Sequence, residues 1–229
     1  MIFDPLYLIM VLPALLLSIY AQIRVKSTFS RFSRVPTFRG VTGAQAAQTI
    51  LRASGIHDVT VELTTGFLSD HYDPRGKVLR LSESVYAGNS IASVGVAAHE
   101  AGHAIQDATG YAPLKLRGAL VPVSTIGSNL AWPLLMIGFI FMSQSLIMAG
   151  ILFFTLAVLF QIITLPVEFN ASSRALAALP AAGILSESEV SGARKVLSAA
   201  ALTYVAAATA AVLQLLYFLM RAGLLSRDE

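Results

Sequence analysis

His99 and His103 stand four residues apart in the stretch AAHEAGHAIQ, and Glu100 directly follows the first of them. On an α-helix, residues four apart share one face, so the two imidazoles can hold one metal ion between them. Glu100 is turned about 100° from His99 by the 3.6-residue helical period. Its carboxylate can therefore reach a water on that ion without being a ligand. Zinc lowers the pKa of a bound water towards 7, and the glutamate accepts its proton as the water attacks a carbonyl carbon. The spacing is the His-Glu-x-x-His pattern of zinc-dependent peptide hydrolysis. Ala97, Ala98, Ala101 and Gly102 leave room for close packing around it. A buried helix with two incidental histidines would have to bury Glu100 without a partner, which is costly.

A catalytic zinc site takes three protein ligands and keeps one position open. Asp107 lies eight residues from His99, about 12 Å along a helix axis, and fits better as a partner for the far nitrogen of His103 or as an exposed residue. Glu187 and Glu189 read as helix-start charges, and Asp228 and Glu229 belong to the tail. Glu168 is left, just past Pro166, at the end of a long uncharged run.

That run defines the elements that must position the site. No Asp, Glu, Lys or Arg occurs from Gly118 to Val167, a stretch of 50 residues. A bilayer core needs about 20 apolar residues per helical span, so the stretch is two spans joined by a polar turn at MSQS (142–145). Leu6 to Val25 and residues 201–220 supply two more. The chain is 55% hydrophobic with a mean hydropathy of +0.70, far above a typical soluble protein. The expected class is a mainly α membrane protein with four transmembrane helices and a small cytoplasmic α+β zincin-like unit. The expected division is span 1 at 1–25, a zincin-like unit with the HEAGH helix at 26–117, spans 2 and 3 at 118–167, helices with the third ligand at 168–200, span 4 at 201–221, and a tail at 222–229.

Arg24, Lys26, Arg31, Arg34 and Arg39 follow the first span, and no acid occurs between Pro5 and His57. Basic flanks stay in the cytoplasm, which puts 26–117 and 168–200 inside and both termini outside. Lys115, Arg117, Arg174, Arg194 and Lys195 agree; Arg221 and Arg227 on the tail do not. The net charge of +3 comes largely from this juxtamembrane cluster, which suits anionic lipid headgroups and not nucleic acid. The absence of cysteine excludes disulfides and thiolate metal sites.

Between the spans, VTGAQAAQTILRASGI reads as a helix, with Thr42 and Gln45 as a capping box and Gly55 as its stop. VTVEL (59–63) alternates as a strand does. A turn at Asp73-Pro74-Arg75-Gly76 separates two extended runs within 68–82. Together they predict a small antiparallel sheet, and one strand of the 68–82 hairpin can pair with an extended peptide. Asn89 or Ser90 caps the histidine helix, which runs to about Ala108 and stops at Gly110. EFNASSRALAAL extends the third span until Pro180, and Ser186 with Glu189 opens the next helix as a second capping box.

AAHEAGHAIQ followed, two spans later, by EFNASSRALAAL resembles the YugP-like neutral zinc metallopeptidases of bacterial membranes. The likeness covers most of the chain, including DHYDPRGKVLRLSESVY. More distantly, the order of motifs is similar to that of HtpX-like proteases and membrane-embedded CAAX prenyl proteases. The resemblance implies one Zn2+ held by His99, His103 and Glu168, with Glu100 as general base. It implies a multi-pass protein of the bacterial inner membrane whose active site faces the cytoplasm. Where the distant relatives carry an aspartate four residues after the ligand glutamate, this chain has Ser172, a weaker hydrogen-bond partner for a ligating histidine; Asp107 or a backbone carbonyl can take over that role. His71, Tyr72 and Arg174 are the candidates for stabilising the transition-state oxyanion. The expected function is a membrane zinc endopeptidase acting on membrane or membrane-proximal proteins, with membrane lipids and protein or peptide substrates as partners, and a homo-oligomer or membrane scaffold protein as a further partner. The alternative is a non-catalytic membrane scaffold or metal-responsive binding protein that keeps the zinc site. A transporter is disfavoured, because the central spans carry no charged residue.

Overall fold

The computed structural model describes residues 4–66 and 69–225. The tail residues Arg227, Asp228 and Glu229 lie outside the described residues, as do 67 and 68, the second of which opens the 68–82 hairpin. In chain order the elements are α1 (Pro5–Phe32), α2 (Gly43–Ala53), β1 (Thr60–Thr64), β2 (His71–Asp73), β3 (Val78–Ser82), α3 (Glu83–Tyr86), α4 (Ile91–Ala108), α5 (Ala112–Ile140), α6 (Gln144–Ala181) and α7 (Glu187–Arg221). Helices α1, α5, α6 and α7 are each long and apolar enough to cross a membrane. The chain forms two compact units. One comprises residues up to Ala21, Lys115–Leu165 and residues from Thr203 onward; the other comprises Gln22–Leu114 and Pro166–Leu202.

The first unit holds the most apolar parts of the four long helices. Its buried residues include Leu135, Ile147, Ile151, Tyr217 and Phe218, with Trp132 and Phe154 set edge-on to the Phe218 ring. Large apolar side chains such as Ile9, Leu16, Ile137 and Leu152 point outward, as they do on helices whose solvent is hydrocarbon. The turn between α5 and α6 falls at 141–143, with Met142 in the left-handed region at φ 51°. Gln144 of the MSQS stretch already belongs to α6.

The second unit is built around α4, which is buried on most of its circumference. Ser90 caps it, accepting from the Ser93 N–H, and Gly110 follows its end at φ 66°. Helix α2 begins with the full reciprocal capping box between Thr42 and Gln45 and is followed by Gly55 at φ 72°. The sheet has the order β1-β3-β2. β2 and β3 pair antiparallel across the turn, where Asp73 Oδ1 accepts the Arg75 N–H at 3.0 Å. β1 pairs parallel to β3, so the sheet is mixed and not wholly antiparallel. The apolar run Val78, Leu79 and Leu81 is buried, which gives β3 the central place. β1, mostly exposed, is left with an edge.

α6 runs through Pro166 as one helix with EFNASSRALAAL, as expected, and ends one residue past Pro180. α7 continues unbroken from Glu187 to Arg221, so residues 187–200 and the fourth span are one helix. At its start the Glu189 carboxylate accepts the Ser186 N–H at 2.8 Å and the Ser186 hydroxyl at 2.7 Å. It also accepts the Phe38 N–H at 2.7 Å, tying the turn after α1 to α7.

In α6, Val167, Glu168, Ala171, Ala175 and Leu179 recur at spacings of one to four along one buried stripe, and α4 packs on it closely. A Cβ built on Gly102 would meet the Ala171 carbonyl oxygen at 2.5 Å. A backbone atom cannot swing aside, so glycine sets the distance between the two helices here. Gly102→Ala should lower unfolding stability by about 1–3 kcal/mol, the usual cost of forcing extra volume into a packed contact. Thermal unfolding of the detergent-solubilised protein checks this, and an unchanged melting temperature would contradict the contact.

Candidate metal centre

The close approach at Gly102 brings Glu168 of α6 against the histidine face of α4. Glu168 Oε2 lies 3.2 Å from His99 Nε2 and 3.7 Å from His103 Nε2. The three ligand atoms lie within 4.8 Å of one another. Two zinc ligands at about 2.0–2.2 Å in a tetrahedral shell are separated by roughly 3.4 Å, so the two measured histidine–carboxylate distances suit a shared ion. Two imidazoles and one carboxylate are a donor set that would suit a zinc ion.

The outward nitrogens of both rings are engaged. Ser172 Oγ lies 3.1 Å from His99 Nδ1; residue 172 is one turn beyond Glu168 and on the same face of α6. His103 Nδ1 lies 3.0 Å from Gln106 Oε1. Each ring therefore turns its Nε2 towards Glu168, the orientation that partners of ligating histidines impose. Burial pushes the His103 pKa down, but the Glu168 carboxylate and the other negative charge beside the ring outweigh it and hold the pKa above the ordinary histidine value. Glu100 contributes to that effect. It is itself buried, at 8% exposure, beside the ligands and outside the ligand triad.

Gln106 is the residue that sequence reasoning passed over. It is fully buried and takes the role offered to Asp107 or a backbone carbonyl. It lies three residues past His103, within the stretch that drew attention, and i, i+3 spacing on a helix was the available signal. Asp107 instead accepts the Tyr72 hydroxyl at 2.9 Å and the Lys77 ammonium at 2.7 Å, joining α4 to β2 and to the turn that follows it. Burial, then the bond to Asp107, raises the Tyr72 pKa, so its phenol stays protonated and donates. The same carboxylate raises the Lys77 pKa, chiefly through its hydrogen bond.

The three oxyanion candidates have partners outside the triad. His71 is exposed on β2, with Nδ1 2.8 Å from the Ser69 carbonyl. Tyr72 is bound to Asp107. Arg174 donates through Nε to Asn170 Oδ1 at 2.7 Å and lies over the Tyr111 ring, 5.8 Å from its centroid.

The model of a protein family described as "Putative neutral zinc metallopeptidase" matches residues 7–223. The chain is also 48% identical over 224 residues to the "Putative membrane protease YugP" of Bacillus subtilis (strain 168), which covers 98% of this chain and 99% of that protein. No solved structure matches the chain. Its four apolar helices agree with the membrane residence in that relative's description. With the matched region reaching almost from end to end and three residues able to hold a metal ion, the chain belongs to the neutral zinc metallopeptidase family.

Proposed function

We propose that the protein is an integral membrane zinc endopeptidase that hydrolyses peptide bonds of membrane or membrane-proximal proteins. The observation that carries this reading is the convergence of His99, His103 and Glu168 with the buried Glu100 beside them. Bound zinc supplies a Lewis acid that lowers the pKa of water to near neutrality and polarises a carbonyl. His99, His103 and Glu168 hold the ion, and Ser172 and Gln106 orient the two rings. Glu100 takes a proton from water as the oxygen attacks the peptide carbonyl carbon. It then delivers that proton to the amide nitrogen, so the C–N bond breaks and the amine leaves neutral. β2 is an edge strand tied to α4 through Tyr72 and Asp107, and an extended substrate can pair with it.

The active site is proposed to face the cytoplasm, on the strength of the basic residues that follow the first span. Glu168 directly follows the uncharged run that ends at Val167, which favours substrates at or near the membrane. Because the chain has no cysteine, single cysteines report sidedness cleanly. Cysteine at Arg75, on the exposed β2–β3 turn, should react with an impermeant maleimide only in inverted vesicles. Cysteine at Met142, 90% exposed between α5 and α6, should react in intact cells. The opposite pattern would reverse the topology.

Glu100→Gln should retain zinc and lower cleavage of an unfolded protein substrate by about 10²–10⁴-fold, the range of a general base. Undiminished cleavage would favour a binding or scaffold role. Removal of metal with a strong chelator should abolish cleavage, and added zinc should restore it, because the ligands hold the ion reversibly. Activity that survives complete metal removal would contradict the zinc mechanism.

A further inference from the structure

We infer that Arg174, Asn170 and Gln106 are positioning residues: through a directed chain of hydrogen bonds they hold the proton of His103 on Nδ1, leaving the lone pair of Nε2 for the metal. The inference rests on the metal-site reading above and adds three residues to it.

A neutral imidazole has two tautomers, and only the one with an unprotonated Nε2 can ligate through the nitrogen that faces Glu168. What faces Nδ1 decides between them. That neighbour is the side-chain amide of Gln106, which has an oxygen that accepts and a nitrogen that donates two protons. Its orientation is set from behind. Gln106 Nε2 lies 2.8 Å from the Val167 carbonyl oxygen, which can only accept. It also lies 3.0 Å from Asn170 Oδ1. Asn170 in turn is oriented by Arg174, whose Nε donates to that same oxygen at 2.7 Å; a guanidinium has donors and no acceptor. The two acceptors occupy both N–H groups of Gln106. Only Oε1 remains for His103, at 3.0 Å, and an amide oxygen can only accept. The proton must therefore sit on Nδ1.

His99 differs. Its Nδ1 faces the Ser172 hydroxyl at 3.1 Å, and a hydroxyl both donates and accepts. Ser172 imposes no tautomer, so His99 is adaptable where His103 is committed. The outer end of the chain is anchored as well. Arg174 rests over the Tyr111 ring, a favourable cation–π position, and the Tyr111 hydroxyl lies 3.5 Å from the Pro166 carbonyl. Arg174 thus acts through Asn170 and not on the substrate carbonyl.

The test uses the full-length protein in detergent, with zinc as the probe. Zinc affinity is measured by competition with a chelator, and histidine tautomers are read from ¹⁵N spectra of histidine-labelled protein; four histidines in the chain keep the assignment simple. Wild type should show His103 protonated on Nδ1 with zinc on Nε2. Gln106→Met and Asn170→Leu should weaken zinc binding about 10–100-fold, the usual effect of losing a group that orients a ligand. Asn170→Asp keeps an acceptor for both donors and should bind zinc nearly as wild type does, a rescue that mere packing at this position would not require. Wild-type affinity in Gln106→Met, or His103 bound through Nδ1, overturns the inference and leaves the metal site standing. Failure of the wild type to take up zinc contradicts the metal site and the inference together. Should a variant not fold, the tautomer in the wild-type spectrum decides alone.

Discussion

A carboxylate that is 2% exposed is tolerated only where positive charge and hydrogen-bond donors meet it, because an uncompensated buried charge is strongly destabilising. Glu168 is that carboxylate, and the rest of the second unit is arranged around its meeting with His99 and His103. α4 and α6 must approach until backbone nearly touches backbone, which Gly102 permits opposite Ala171. The small residues beside it, Ala97, Ala98, Ala101 and Ala104 on α4 with Ala171 and Ala175 on α6, are all buried.

The polar groups near this contact are satisfied with little redundancy. Ser172 and Gln106 take the outward nitrogens of the histidines, while Asp107 is drawn aside by Tyr72 and Lys77. That division has a physical logic. A carboxylate on His103 Nδ1 would add negative charge to a site that already holds Glu100 and Glu168, whereas the Gln106 amide orients the ring without a charge. On the other ring, Ser172 likewise supplies a neutral partner where distant relatives are expected to carry an aspartate. Both second partners of the histidines are therefore uncharged, and the negative charge near the proposed ion comes from two carboxylates with separate roles.

Much of this was legible from local pattern. The i, i+4 histidines, the Thr42–Gln45 capping box, the Ser90 cap and the glycine stops all depend on residues within a turn of each other, where spacing determines contact. Glu168 was reached by elimination, because a chain with so few acids leaves few candidates. What local pattern could not show was long-range. Gln106 showed only its i, i+3 spacing from His103; the partners that fix its orientation lie 61 and 64 residues away. The direction of β1 depends on how the chain crosses the sheet, and alternation in VTVEL carries no information about it. Arg174 was read as a headgroup or substrate contact, although Asn170, one turn earlier, stood at the i, i+4 spacing from which it accepts the Arg174 Nε–H.

The account stands or falls on a metal ion at this site. Zinc K-edge X-ray absorption on the purified, full-length protein, with metal content measured on the same sample, tests it most directly. The predicted result is one zinc per chain in a shell of nitrogen and oxygen at about 2.0–2.2 Å with the scattering signature of two imidazoles, and loss of that zinc in Glu168→Ala. A chain that purifies without zinc and does not take it up, or a Glu168→Ala variant that retains the same ion in the same shell, would contradict the account.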